Sequence, residues 1–233
     1  MRQNYHKFTV EGVRAVGELL QQDRYRIDQV YALDSWIPPA PLKSDMPVTE
    51  VTPKELGRIS QLITPNQVLA VVDIPQPDAP GTGSLATDWA LYLDGIQSPS
   101  NLGALLRIAD WCGFPEVYGG PGTADLYNPK SIQASMGSFL RVNYRSGTLA
   151  ELAAARPGLP IYGADLAGEN IYRVEPPPAG ILVIGSEGPG IREGTAELIE
   201  RRVTIPRAPG RTTESLNAAV AAGILMSWLG GGA

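Results

Sequence analysis

Three short segments, far apart in a chain of 233 residues, hold the side chains best suited to chemistry. They are Asn101-Leu102-Gly103-Ala104-Leu105-Leu106-Arg107, Gly185-Ser186-Glu187-Gly188-Pro189-Gly190 and Ser215-Leu216-Asn217. Each joins small or flexible residues, which let backbone approach a ligand, to a few polar side chains at the start of an apolar, helix-like run. That combination suits a cofactor pocket.

Taken singly, each segment also has a purely structural explanation. Asn101 follows turn residues Ser98-Pro99-Ser100 and is either a helix N-cap, satisfying the first amides of the next helix, or a site residue. Arg107, six residues on, is expected near the same face after almost two turns, as an exposed ion pair or a ligand clamp. Gly103 and Gly113 predict a packing or ligand reason, because glycine within an apolar helix costs stability. The glycine-rich turn follows the apolar run Ile181-Leu182-Val183-Ile184, the position at which parallel sheets bind ligands. Its spacing is not G-x-G-x-x-G and no Walker lysine follows, so neither the dinucleotide fingerprint nor the phosphate loop is met. Ser215 and Asn217 are caps or site residues in the same sense. Val203-Thr204-Ile205-Pro206 and the loop RAPGRTTE lead into them, and the run from Ala218 to Leu229 is so apolar that it must be buried.

Those segments need a scaffold, and the apolar pattern supplies one. Val10, Val13, Val16, Leu19 and Leu20 recur at helical spacing, followed by DQVYALD, a helix-like stretch from Pro53 to Leu62 and the strand-like QVLAVVDI. Ile74–Asp88 is rich in proline, glycine and small polar residues and reads as a linker. Beyond it the short runs ALYLDG, EVYGG, PIYGAD and ILVIGS alternate with helix candidates at Leu102–Cys112, Ser131–Ser138, Glu193–Ile199 and Leu216–Leu229. Such alternation predicts a mostly parallel sheet covered on both faces. The chain therefore divides into a small α/β unit over 1–75, a linker over 76–87 and a larger α/β domain over 88–233.

Composition narrows the function. A hydrophobic content of 43% is enough for a core without staples, and the single cysteine, Cys112, forbids an intramolecular disulfide and suits a reducing, cytoplasmic setting. No stretch has the length or apolarity of a membrane span or a signal core. A net charge of −5 weighs against indiscriminate nucleic-acid binding. The charge is uneven, however. Between Asp125 and Glu151 the charged residues are Lys130, Arg141 and Arg145, and a second acid-free run carries Arg201, Arg202, Arg207 and Arg211. Such strips are ordinary solvated faces or the footprint of a selective RNA partner. His6 lies outside every motif, Cys112 reads as a small core residue, and no cysteine-histidine cluster suggests a metal.

The three segments, in this order, resemble the motifs of the SpoU (TrmH-type) RNA ribose methyltransferases of the SPOUT superfamily. SPSNLGALLRIADWCGFPEVYG is similar to the first motif, ILVIGSEGPGI to the second, and VTIP with SLNAAVAAGI to the third. The N-terminal unit resembles, more loosely, the ribosomal-protein-L30e-like substrate domain of such enzymes. The resemblance implies a trefoil-knotted α/β domain preceded by that small domain, a homodimer, S-adenosylmethionine as cofactor, and methylation of a ribose 2′-hydroxyl in RNA, ribosomal RNA before transfer RNA. By position it implies that Gly185, Ile205 and Leu216 hold the cofactor largely through backbone groups. Asn101, Arg107, Glu187, Ser215 and Asn217 would form the polar site, with Lys130, Arg141, Arg145 and Arg211 on the RNA. Arg107 is expected to clamp an RNA phosphate, a guanidinium being too firmly protonated to act as a base, and Glu187 to tie loops together. Two features depart from the family pattern: a longer loop between Pro206 and Ser215 bearing Glu214, and Ala218-Ala219 after Asn217. An RNA-binding module without catalysis and a nucleotide-cofactor enzyme of another class are the alternatives.

Overall fold

In the computed structural model, residues 5–39, 41–42, 46–76 and 88–230 are described. The linker expected over 76–87 lies almost wholly outside them.

The N-terminal unit is built on a four-stranded sheet of order β1-β4-β2-β3. β1 (Lys7–Glu11) alternates, with Phe8 and Val10 turned inward. Val10 was expected on a helix. The strand's two-residue period claims it, and Gly12, at φ 101°, turns the chain before α1 (Val13–Leu19) begins. β2 (Ile27–Ala32) and β3 (Val48–Glu50) run parallel, and β4 (Val68–Asp73) is antiparallel to both β1 and β2. Between β3 and β4, α2 (Pro53–Ile59) starts at a Thr52/Glu55 capping box with proline in its first turn. It stops short of the expected Leu62. Ser60 is extended and gives its hydroxyl to Glu11, 2.5 Å away.

The larger unit is a six-stranded sheet of order β10-β8-β9-β5-β6-β7, every neighbouring pair parallel. Its central strands β5 (Trp89–Asp94) and β9 (Gly180–Gly185) are nearly unbroken apolar runs, as strands covered on both faces must be. α3 (Pro99–Trp111) follows β5, β6 is Glu116–Gly119, and α4 (Pro129–Ser135) leads through a 3-10 turn at Ser138–Leu140 to β7 (Asn143–Ser146). α5 (Leu149–Ala155), β8 (Ile161–Asn170), α6 (Glu193–Ala196), β10 (Arg201–Thr204) and α7 (Ala218–Gly230) complete it. The order inserts β9 between β5 and β8, so chain that leaves the centre through β6 and β7 returns to it.

Of the two glycine expectations, one resolves into packing and the other into backbone conformation. At Gly103 a Cβ would lie 2.4 Å from the carbonyl oxygen of Ser131 and 2.6 Å from the Ala134 side chain. α3 and α4 therefore cross in contact only because Gly103 has no side chain. Gly113, at φ 75°, follows the end of α3 in a left-handed turn.

The two sheets are separate but their apolar cores are continuous. Phe8 and Tyr25 of the small unit pack against Tyr127 and Phe139 of the large one, with ring centroids 4.7 to 6.1 Å apart. Arg24 donates to the Val142 carbonyl at 3.2 Å and to the Asn143 side chain at 3.0 Å. The small unit is thus docked on its neighbour, with the buried Phe139 covered by it.

Candidate functional site

At the carboxyl end of β5 sits Asp94, 0% exposed and in register with Gly185 of β9. A buried carboxylate must be matched by donors, and Arg192 supplies all three. Its backbone N–H reaches one carboxylate oxygen at 2.7 Å, its Nε the other at 2.9 Å, and a terminal guanidinium nitrogen also donates there. These bonds, Asp94 first among the causes, raise the Arg192 pKa above its ordinary value. Between β9 and Arg192 the chain must therefore close into a tight loop. Ser186 and Gly190 exchange backbone hydrogen bonds of 3.2 and 3.1 Å, and a Cβ on Gly185 would lie 2.2 Å from Gly190 carbon. Sequence reading missed both Asp94 and Arg192. The signal available was one carboxylate ending an otherwise apolar strand, WALYLD.

That loop presents Glu187 to Asn101. Asn101 is not the N-cap: Ser98 caps α3, accepting from the Asn101 backbone N–H at 3.3 Å, and Pro99 opens the helix. The Asn101 side chain is free for other work as a result. Its Nδ2 donates to Glu187 Oε1, and its Oδ1 accepts from Asn217 Nδ2 at 3.2 Å. Asn217 is a true cap of α7, its Oδ1 accepting from the N–H groups of Ala219 and Val220 at 3.0 and 3.3 Å. α7 consequently starts at Ala218 and not at Leu216. One hydrogen-bonded line joins all three sequence segments. Each asparagine amide carries two N–H donors, and the line uses one apiece.

Around this network Gly185 and Ile205 are half-buried, while Ser215 and Leu216 are exposed. The long loop is braced by Arg207, which donates to the Thr213 carbonyl at 2.7 Å. Around Gly188 and Gly190 nothing lies within 4 Å of where a Cβ would stand, so a ligand can approach backbone there.

Arg107 is not brought to this network. Six residues on a 3.6-residue turn leave it about 240° round the helix from Asn101, so the expected common face does not exist. It is exposed and lines a cavity of about 910 Å³ with Ile108, Trp111, Cys112, Gly223 and Met226. Trp111 is 90% exposed there. Burial pushes the Cys112 thiol pKa up, making it a poor nucleophile. Ala219 and Ala222, small residues of the apolar last helix, are buried inside the chain, where α7 packs on α3.

The four basic residues are scattered. Lys130 is exposed on α4 and Arg211 is exposed in the long loop. Arg145 is half-buried in β7. Arg141 is committed to ion pairs with Glu18 and Asp110, its Nε 2.9 Å from the Asp110 carboxylate. Among the described residues no cluster of three or more histidine, cysteine, aspartate or glutamate side chains is placed to hold a metal, and no helix is long and apolar enough to cross a membrane.

Comparison with known proteins places this geometry. Residues 88–227 match the SpoU rRNA Methylase family and residues 1–70 the MRM3-like substrate binding domain. The 23S rRNA (guanosine(2553)-2'-O)-methyltransferase RlmP of Bacillus subtilis is 29% identical, over 99% of this chain and 91% of its own. A structure from Porphyromonas gingivalis, described under the TrmH family of RNA methyltransferases, superposes with a TM-score of 0.86 at 38% identity, covering 98% of this chain and 91% of that one. The SpoU methyltransferase AviRb of Streptomyces viridochromogenes, solved in complex with AdoMet, shares the fold at 24% identity and a TM-score of 0.82, over 98% and 91% of the two chains.

Proposed function

Since the chain belongs to the SpoU rRNA methylase family, we propose that it transfers a methyl group from S-adenosylmethionine to a ribose 2′-hydroxyl of RNA, ribosomal RNA before transfer RNA. The observation that carries this reading is the hydrogen-bonded line Glu187–Asn101–Asn217 at the carboxyl ends of β5 and β9. It draws the three motif segments into one polar site where a parallel sheet receives ligands. The name of the Bacillus subtilis relative supports ribosomal RNA.

The residues present fit the cofactor. Gly188 and Gly190 leave backbone open to approach, Glu187 is a carboxylate for a cationic ligand, and Gly185, Ile205 and Leu216 stand around the same loops as backbone holders. When bound, S-adenosylmethionine supplies an activated methyl group, so the protein's task is alignment and charge management. Asn101 and Asn217 hold the remaining amide donors at fixed angles because each is anchored by a second bond. Glu187 fastens the glycine loop to α3. Ser215 orients the ribose in this reading.

Arg107 acts on the RNA as a phosphate clamp that stabilises negative charge developing on the attacking oxygen. Its place beside Trp111 in the 910 Å³ cavity, away from Asn101, supports a homodimer closed over α3 and the outer edge of α7, where a second copy covers Trp111 and Val220. The insertion of β9 supports the trefoil knot. The core-docked small unit supports a substrate-recognition domain over 1–75, joined by a linker at 76–87 to a catalytic domain over 88–233. Lys130, Arg141, Arg145 and Arg211 are assigned to RNA contact, Arg141 also pairing with Glu18 of the small unit. A cytoplasmic setting follows from the single thiol and the RNA substrate.

The test is transfer of labelled methyl from S-adenosylmethionine to 23S ribosomal RNA transcript and to bulk transfer RNA, with the product mapped by mass. Labelling of the ribosomal transcript at a 2′-oxygen is expected. Cofactor binding without transfer to either RNA would make the protein a binding module. Absence of cofactor binding would return it to another class.

A further inference from the structure

A second cavity lies where the two units meet, and the site described above does not use it. It measures about 470 Å³ and is walled by the turn from β1 into α1, the loop before β4, and α4 with its cap. The volume falls in the range of small-ligand pockets.

Its lining has three chemistries. The floor is apolar: Ile132 and Ala15 below, with Val13 and Met136 facing solvent at 38% and 49% exposure. The rim carries the amides of Gln61, Asn66 and Gln133, and the cations Arg14 and Lys130 stand at its edges, all exposed. The one carboxylate, Glu11, is already bonded, to Ser60 Oγ at 2.5 Å and the Gln61 N–H at 2.9 Å, and so braces one wall. Arg14 is steadied by Glu18 at 3.2 Å, one turn along α1.

Met136 adds an independent observation. It closes α4 with φ 50°, a left-handed conformation uncommon for a residue with a side chain, and among the described non-glycine residues only His6 also has a positive φ. That turn ends α4 and leaves the thioether exposed at the mouth of the cavity, where a ligand can meet it. Methionine sulfur and aliphatic side chains form a surface for an aromatic ring. Amide side chains read the edges of such a ring, and the two cations suit its phosphate.

The cavity also has a fixed relation to the catalytic network. α4 forms its wall on one side and crosses α3 at Gly103 on the other, two residues from Asn101.

We propose that this cleft is a subsite for one unpaired nucleotide of the RNA, outside the methylated residue: base on Val13, Ile132 and Met136, edge on Gln133 and Asn66, phosphate at Arg14 and Lys130. The proposal rests on the RNA substrate given above. The test uses the full chain and 23S ribosomal RNA transcript as probe, with binding measured across a salt series and labelled methyl transfer alongside. Arg14→Ala/Lys130→Ala should weaken RNA binding at least tenfold and lower the salt slope by about two. S-adenosylmethionine affinity should be unchanged, and KM for RNA should rise more than kcat falls. Gln133→Ala/Met136→Ala should also weaken binding, several-fold, with the salt slope unaltered, and Lys130→Arg should restore most of the loss from Lys130→Ala. Unchanged RNA affinity in both double variants overturns the subsite. So does a loss confined to the charge variant, which would mean diffuse surface attraction. Wild-type protein that binds RNA with these dependences yet transfers no methyl group would instead overturn the catalytic reading and leave the subsite standing.

Discussion

Replacing Arg192 by alanine should loosen the glycine loop that carries Glu187, and the structure fixes how much. Asp94 is 0% exposed and accepts three hydrogen bonds from Arg192, two of them from the side chain. Breaking a fully buried ion pair by removing one partner costs about 3–5 kcal/mol, because the other charge is left uncompensated. The Arg192 side chain is 43% exposed, so water enters where it stood and the cost falls to about 2–3 kcal/mol. For a chain of this size that corresponds to a drop of roughly 4–12 °C in Tm. Weakened S-adenosylmethionine binding should accompany it, since Gly185 and the Ser186–Gly190 pair lose their anchor. Asp94→Asn keeps an oxygen for the Arg192 backbone N–H and removes the buried charge, so it should cost less. The double variant should resemble Asp94→Asn rather than the sum of the two, the mark of a coupled pair. Thermal melts with and without the cofactor product, together with titration calorimetry, measure all three variants. If Arg192→Ala melts within a degree or so of wild type and binds the cofactor equally well, the ion pair does not hold the loop.

Other outcomes follow from single contacts. Gly103→Ala places a Cβ 2.4 Å from Ser131 oxygen and 2.8 Å from Ser135 nitrogen; overpacking of about 1–3 kcal/mol, offset by a helix gain of about 1 kcal/mol, should lower the denaturant midpoint, and an unchanged or higher midpoint would deny the close crossing. Arg107→Lys keeps charge but loses the planar fork, so single-turnover methylation at saturating cofactor should slow roughly a hundredfold, about 3 kcal/mol, with fold and cofactor affinity retained; near-wild-type rates would remove Arg107 from the mechanism. The raised thiol pKa of Cys112 means less thiolate at any given pH below it, so alkylation at pH 8 should lag a free thiol and accelerate as pH rises. A bulky maleimide on Cys112 should also halve the mass seen by light scattering, and a modified protein that stays dimeric would place the seam elsewhere.

Strands and helix interiors were legible because their signals are local. The runs ALYLDG and ILVIGS sit in the centre of the sheet, and the helix-like stretch from Pro53 is α2. Boundaries failed where one residue's conformation decides them. α3 and α4 each begin at a proline behind a capping residue, Ser98 and Asn128, earlier than the apolar period suggested. α4 ends three residues before the expected Ser138 because Met136 and Gly137 are both left-handed. β1, β3 and β7 went unread, each short and bonded to a strand elsewhere in the sequence, and so did α5. The continuity of the two cores was invisible for the same reason, since Phe8 and Phe139 signal nothing about each other until the chain is folded.

The candidate site divides along the same line. Asn101, Glu187 and Asn217 were identifiable from residue type and order, and the fold brings them into hydrogen-bonding contact across 86 and 116 residues. Asp94 and Arg192, 98 residues apart, carry no motif because their role is to satisfy each other, and only a buried carboxylate at the strand end announces it. Arg141 reads as a basic candidate for RNA, and its partner Glu18, 123 residues away, comes into view only in the fold. Arg107 is the reverse case. Its motif position was legible but its direction was not, because a helix turns by about 100° per residue and six residues carry it to the far face of α3. A residue with a motif's identity and the wrong face within its own chain needs something else to complete its geometry. In the homodimer proposed above a second copy does so, over the exposed Trp111 beside it.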